Sequence, residues 1–462
     1  MRWPIIFAIA VVVSVPMQSM RAEENWPQWR GPLGTGVAAG GDYPVKFSST
    51  EGVTWKVDLP GKGSSTPAVW GDRIFVTCAI GESPEPQGFG PPKGKTESSA
   101  QDGLICYDTQ GKELWRKELG TERSGKHRNG SGSNPSPATD GKHVVAYFKT
   151  GTLACFDFAG KELWKTNLPQ RFGKDTLWWD LGTSPVLVNG MAIMAVIQSP
   201  QGQGGRYGGA ADGEKQEPSR SYLVAFDLAT GDVKWQQFRE YECAEESDQS
   251  YATPQVVKLE GKDVIVTWGA DHLTGHDAAT GKLLWESGNF NPENSRAWRT
   301  IASMTVGDGV AVVPYGRGKF LAGVRVGGSG DVTKSNRMWE KMDLAGDVPT
   351  PVIHDGRAYV QGDTGKITCL NLKSGDILWS AELPRNRNKY YSSPVLAGNK
   401  LYCAREDGVV FVGEVSDTGY KQLAENEMGE RIIATPVPIR GGLLLRGEDH
   451  LFWIGRDGVA AK

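Results

Sequence analysis

From about residue 53 to residue 455 the chain is a succession of short apolar runs, some alternating and some continuous, broken by Gly, Asp, Asn and Thr. That pattern reads as strands and turns, with no stretch of helical period. Five segments repeat one design: 106–115 (CYDTQGKELW), 155–164 (CFDFAGKELW), 225–235 (AFDLATGDVKW), 275–285 (GHDAATGKLLW) and 369–379 (CLNLKSGDILW). The Gly-to-Trp spacing is four residues in all five. Each predicts a β-hairpin. Gly supplies the positive φ of the turn, Asp or Asn bonds the turn backbone, and Trp packs between sheets.

A second repeat precedes each hairpin, a small hydroxyl residue followed by Pro and then alternating apolar positions. It occurs at Thr66-Pro67, Ser136-Pro137, Ser184-Pro185, Thr253-Pro254, Thr350-Pro351, Ser393-Pro394 and Thr435-Pro436, with Ser303-Met304 as a degenerate copy. Copies lie 42–50 residues apart, apart from two intervals near 70. This period predicts an all-β fold, an eight-bladed β-propeller of four-stranded antiparallel blades. The last unit has room for three strands, and 53–59 (VTWKVDL) reads as an orphan fourth. Pairing the two closes the ring through an N-terminal strand and removes the open edge. Trp55 then serves the closing blade and Trp339 the fifth. The seventh has no Trp and uses the run 420–423.

Composition agrees. Gly is 60 of 462 residues and Pro 26, too many for a helical bundle, while 16 Trp, 14 Phe and 13 Tyr provide apolar area to bury. A net charge of −3 gives no basis for nucleic-acid binding or broad attraction to anionic membranes. Residues 1–22 differ from the rest: Arg2 precedes an apolar run from Ile5 to Val15, then Pro16 and Ala22. The run suits a signal peptide and is short of the roughly 20 residues that span a bilayer. The expected organisation is a signal peptide or uncleaved anchor at 1–22, an arm at 23–52 and a propeller at 53–462. The protein is expected to be exported, periplasmic or extracellular, monomeric and without a later transmembrane segment. Five of the six cysteines sit in strand-like runs and read as buried small hydrophobes, with a Cys78–Cys106 bridge as the alternative should those strands pair.

These repeats resemble the PQQ-like, or quinoprotein-like, β-propeller family, whose hairpin signature is A-x-D-x-x-T-G-x-x-x-W. The segment 26–32 (WPQWRGP) looks like the opening motif of exported members. The resemblance implies the fold. Among functions it implies a choice between non-catalytic binding scaffolds, quinoprotein dehydrogenases and the propeller subunit of the outer-membrane barrel-assembly machinery. The stretch 175–187 is similar to a D-x-W-D-x-D…P-V-L segment of the dehydrogenases, with Trp179 and Asp180 as the partial match. The adjacent Cys pair of those enzymes is missing, as is a recognisable Glu/Asn/Asp set for calcium. No cofactor is therefore expected to be required, and PQQ with calcium stands as the alternative. His272 and His276 lie four apart in a strand-and-turn run, which does not build a zinc site.

In a blade with strands A to D, the B–C loops and the D-to-next-A connections share one face, and the Gly-containing hairpins occupy the other. Two low-complexity inserts, 81–101 and 198–220, fall in B–C loops, as decoration or as a lid. The connections carry Arg beside aromatic residues, a chemistry suited to bidentate and stacked contacts. The ligand residues expected there are Trp178, Trp179, Asp180, Arg296, Trp298, Arg299, Tyr390 and Tyr391; solvated loops are the plain alternative. The leading functional reading is a scaffold presenting this face to a protein, peptide or glycan.

Overall fold

The computed structural model describes residues 25–38, 40–84, 98–200, 219–455. The expected signal peptide or anchor at 1–22 and most of both inserts lie outside the described residues. Eight antiparallel sheets form the blades of a propeller, and helix is limited to Leu168–Phe172 and Thr333–Asn336 among the described residues. Seven blades are contiguous in sequence, from Ala68–Thr121 to Val395–Glu427. The eighth takes three strands from Val437 to Ile454 and its fourth from Val53–Asp58, with Trp55 opposite Trp453 and Asp58 opposite His450. The ring closes as the strand count requires.

Strand position explains the two apolar patterns. Strands B and C, such as Arg73–Ile80 and Gln101–Asp108, are buried along their lengths because blades cover both faces. The outermost strands alternate, as in Val53–Asp58 and the start of Glu113–Thr121. Cys78 and Cys106 do sit on paired strands, but Phe75 is opposite Cys106 and Gly103 is opposite Cys78. The two sulfurs therefore point to different faces of the sheet, and all six cysteines are free thiols.

Most adjacent blades are joined twice. On the outer side, the indole N–H of Trp55, Trp115, Trp164, Trp235, Trp339 or Trp379 donates to a carbonyl in the next blade's C–D turn: Thr109, Phe158, Leu228, Ala278, Leu372 and Ser416, at 2.9–3.2 Å. In five of these turns a glycine, Gly111, Gly160, Gly231, Gly281 or Gly375, packs on that ring. At Gly231 (φ +75°) a Cβ would come within 2.6 Å of Trp164, so the position needs both the positive φ and the missing side chain. Trp285 is the exception. The fifth blade replaces its turn with an excursion whose residues Gly330–Asp331 pair alongside Trp285–Glu286. Trp164, Trp235, Trp285 and Trp379 are buried, and Trp115 is half-buried.

On the inner side the hydroxyl repeat bonds blade to blade at seven of the eight junctions, and between the seventh and eighth blades Ser392 Oγ donates to the Ala434 carbonyl at 3.0 Å. The backbone N–H of Thr66 donates to Ser136 Oγ, Ser136 to Ser184, Ser184 to Thr253, Thr253 to Ser303, Ser303 to Thr350, Thr350 to Ser393, and Thr435 to Thr66, at 2.9–3.1 Å. The degenerate copy at Ser303 keeps the hydroxyl and loses only the Pro.

The N-terminal arm seals the axis from the hairpin face. Trp26 bridges to Val69, and Val37–Ala38 add to the seventh blade beside Leu396–Ala397. Arg30, 2% exposed, donates to the carbonyls of Pro394 and Pro351 at 2.6 and 2.8 Å. Burial pulls its pKa down to about 9. Trp29 reaches further in and donates to Thr435 Oγ1 at 3.2 Å.

Ser184→Ala should strand the buried Ser136 N–H and lower stability by about 1–3 kcal/mol, while Ser184→Thr should recover most of it; urea unfolding measures both. Deleting 26–60 should abolish the single cooperative unfolding transition, because the eighth blade then has a free edge. An unchanged melting curve for that truncation would refute closure by the N-terminal strand.

Candidate functional site

Just above the hydroxyl ring the axis widens into a cavity of about 600 Å³ on the face of the D-to-A connections. Its wall follows from strand alternation. A residue two places before a ring hydroxyl points the same way as the hydroxyl. All eight such residues line the cavity: Ser64, Asn134, Gly182, Tyr251, Ile301, Val348, Tyr391 and Ile433. Two places further back stand Asp180, Arg299 and Lys389, also in the wall. Trp29 lies at the closed end, Asp363 enters from the sixth blade's B–C turn, and His127 and Asn129 come from the loop after the first blade.

Asp180 is 9% exposed and fully engaged. It accepts from the N–H groups of Lys126 and His127 at 2.8 Å and pairs with Lys149. Burial pulls the Lys149 ammonium below its usual pKa, with Asp180 opposing that shift. Gly130 makes room for this carboxylate, since a Cβ there would stand 1.9 Å from Asp180 Oδ2. Trp179 is fixed from its backbone, N–H to Tyr251 Oη at 3.1 Å, and its ring meets His127 edge-on at 5.8 Å. Burial, then Arg128, lowers the His127 pKa. Across the cavity Arg299 pairs with Asp347 and lies 3.8 Å from Glu246. Burial opposes its charge, but these two acids outweigh it and the guanidinium pKa is raised. Asp363 accepts from the N–H groups of Asp347 and Val348 at 3.3 and 3.2 Å. Burial, followed by the Asp347 charge, pushes Asp363 up to about 6. At the rim, Arg128 and Asn129 reach Glu406 of the seventh blade at 2.8 Å, and Arg431 holds the Arg128 carbonyl at 3.2 Å. The 122–134 loop thus leans over the edge of the eighth blade.

Four of the residues expected from sequence line the cavity: Trp179, Asp180, Arg299 and Tyr391. The other four are placed elsewhere. Trp178 is 5% exposed and its backbone N–H donates to Gln249 Oε1 at 2.9 Å. Arg296 is exposed and pairs with Glu245 at 2.7 Å. Trp298 packs on Gly316 and, edge-on, against Tyr315 at 5.3 Å. Tyr390 is buried against Phe411 and donates to the Pro384 carbonyl at 2.9 Å. The Arg-plus-aromatic pattern picked loops that border the cavity, with half of the named residues facing it. Asp347, Asp363, Tyr251 and Trp29 went unselected. Counting back in twos from the hydroxyl would have found Tyr251, but no such signal marks Asp363.

PQQ is a planar tricarboxylate, and the cavity suits it poorly. Three carboxylates, Asp180, Asp347 and Asp363, already face the space, and Arg299 is committed to two acids. No group of three or more His, Cys, Asp or Glu residues among those described could hold a metal ion. No chemical step is derived through either group.

A closed eight-bladed propeller with a blind axial funnel is the class that fold and site define. The family model described as outer membrane protein assembly factor BamB, built on PQQ-type repeats, matches residues 101–341 and 328–422. The chain belongs to this PQQ-like β-propeller family. It is 29% identical over 119 residues to outer membrane protein assembly factor BamB of Salmonella typhimurium, and 28% identical over 116 residues to that of Escherichia coli. Each alignment covers 25% of this chain and 29% or 28% of the relative, so less than a third of either relative's length is matched. Two solved structures share the fold at low identity. BamB from Moraxella catarrhalis superposes with a TM-score of 0.56 at 13% identity, over 87% of this chain and 99% of that one. A europium-containing methanol dehydrogenase gives 0.65 at 11% identity, over 95% and 100%.

Asp363 should set a pH dependence. A carboxyl whose folded pKa lies above its unfolded value favours folding below about pH 4, and that contribution is lost as pH rises through about 6. The stability of the wild type relative to Asp363→Asn should therefore fall by up to about 2 kcal/mol between pH 4 and pH 7. Urea unfolding of both proteins across that range checks it, and a flat difference would refute it.

Proposed function

We propose that this protein is an exported binding scaffold without chemistry of its own, seating part of a protein, peptide or glycan in the axial funnel and the rest on the surrounding connections. One observation carries the reading: a blind cavity whose wall alternates aromatic faces (Trp29, Trp179, Tyr251, Tyr391) with carboxylates and cations already held by neighbours. Aromatic faces offer apolar area and stacking, and fixed polar groups orient a ligand. The name of the relatives, assembly factor, favours a polypeptide ligand. Participation in outer-membrane protein assembly is the specific form of the reading that this name suggests.

The test is anisotropy of labelled short peptides tiled from outer-membrane β-barrel proteins, run beside an oligosaccharide panel. Trp179→Ala and Tyr391→Ala should each weaken binding roughly thirty-fold, since a stacked, desolvated contact contributes about 2 kcal/mol. Lys112→Ala, exposed in a hairpin turn on the opposite face, should bind like the wild type. Weakening by Lys112→Ala alone would move the site to the other face. A quinone absorbance band with dye reduction, after incubation with PQQ and calcium, would replace the scaffold by an oxidoreductase.

A further inference from the structure

Below the rim, at the junction of the first two blades, two acids are buried side by side away from the funnel. Asp102 is 1% exposed and Glu122 is 6% exposed. Each has one oxygen satisfied. Asp102 Oδ2 accepts from Thr150 Oγ1 at 2.5 Å. Glu122 Oε1 accepts from Ser98 Oγ at 2.7 Å and from Ser83 Oγ. The other oxygens, Asp102 Oδ1 and Glu122 Oε2, have no hydrogen-bond partner among the described residues. Neither acid forms an ion pair among those residues; the neighbouring Arg123 side chain is turned to Asp175 at 3.1 Å.

Both unpartnered oxygens face one spot. The position a Cβ would occupy on Gly132 lies 3.1 Å from Glu122 Oε2, 3.4 Å from Asp102 Oδ1 and 2.9 Å from the carbonyl oxygen of Arg123. Two carboxyl oxygens and one backbone oxygen thus border one place where the chain has no side chain. Buried carboxylates without a donor or counter-charge are costly, and proteins resolve this by pairing or by a metal ion.

We propose that Asp102, Glu122 and the Arg123 carbonyl bind a calcium-sized divalent cation over Gly132. All three ligands are hard oxygens, which selects an alkaline-earth ion over a transition metal. With three protein ligands, water completes the shell, and affinity falls in the weak range of about 10⁻⁴–10⁻³ M. Magnesium, which sheds water reluctantly and prefers a tighter octahedron, binds less well. The cation would tie together three pieces of chain. Ser83 and Ser98 flank the first insert and hold Glu122, Asp102 belongs to the first blade, and the 122–134 loop carries His127 and Asn129 to the funnel. The site is thus a staple at the base of the loop that leans over the rim, whatever the funnel holds.

The experiment is calorimetric titration of the full chain, stripped with a chelator, with calcium and then with magnesium, beside thermal melting. One calcium should bind per chain and raise the melting temperature, with magnesium at least tenfold weaker. Glu122→Gln should weaken calcium at least tenfold. Should that variant fail to fold, Gly132→Ala gives the same reading, because its methyl would stand 2.9–3.4 Å from all three oxygens and crowd a cation's approach while leaving both acids intact. Loss of binding in a folded Gly132→Ala protein supports the site. No heat and no melting shift with calcium, equal binding of magnesium, or undiminished calcium binding by folded Gly132→Ala would overturn it. A melting point that rises as pH falls yet ignores calcium would also overturn it.

Discussion

Everything at the axis depends on one repeated hydrogen bond, the N–H of a Ser or Thr given to the hydroxyl of its counterpart one blade on. Innermost strands are short and run close to the axis, where a blade has few ladder partners to offer its neighbour. A hydroxyl is the smallest group that can accept there, and the following Pro removes an N–H that would otherwise need a partner. The bond fixes the rotation of each blade relative to the next. It also fixes which side chains face the funnel, because every second residue upstream shares the hydroxyl's direction. The outer Trp contacts repeat the connection at larger radius, adding the apolar area of a ring to a hydrogen bond from its indole N–H.

The fold was legible because its determinants are local and periodic. The Gly at a fixed four residues before Trp is required twice over, by turn geometry and by the ring lying on it, so it survives in five copies. The count of strands in the last unit revealed closure. The site was legible only in part. The loops were identified by their chemistry, but side-chain direction depends on register, and register was readable only relative to the hydroxyls. Trp298 and Tyr390 illustrate the cost: each sits in a loop that borders the cavity and turns into the packing between strands. Their neighbours Arg299 and Tyr391, one residue on, face the cavity. Asp363 comes from a B–C turn and Trp29 from an arm remote in sequence, so neither follows from the repeat.

The electrostatics of the funnel are nearly self-contained. Asp180 is answered by Lys149 and two backbone N–H groups, and Arg299 by Asp347 and Glu246. Such pairs keep the wall in one geometry and leave little net field for a strongly charged guest. The wall is therefore better built for shape and stacking than for ion capture. That separates it from a cofactor pocket, where unspent charge of one sign would be expected to converge.

The threading of the arm has a consequence for biosynthesis. Residues 26–58 contact the first blade at Val69 and the eighth at Trp453, the two ends of a chain that emerges from the ribosome in order. Val53–Asp58, made before the first blade, must wait unpaired for the last one. Until the C-terminal strands arrive, both blade edges stay open and Arg30 has no carbonyls to bond in the sixth and seventh blades. A chain broken off before residue 437 never acquires a mate for Val53–Asp58. The ring is thus its own proofreader of length: only a complete polypeptide can hide its edges, and incomplete ones remain recognisable to proteases and chaperones.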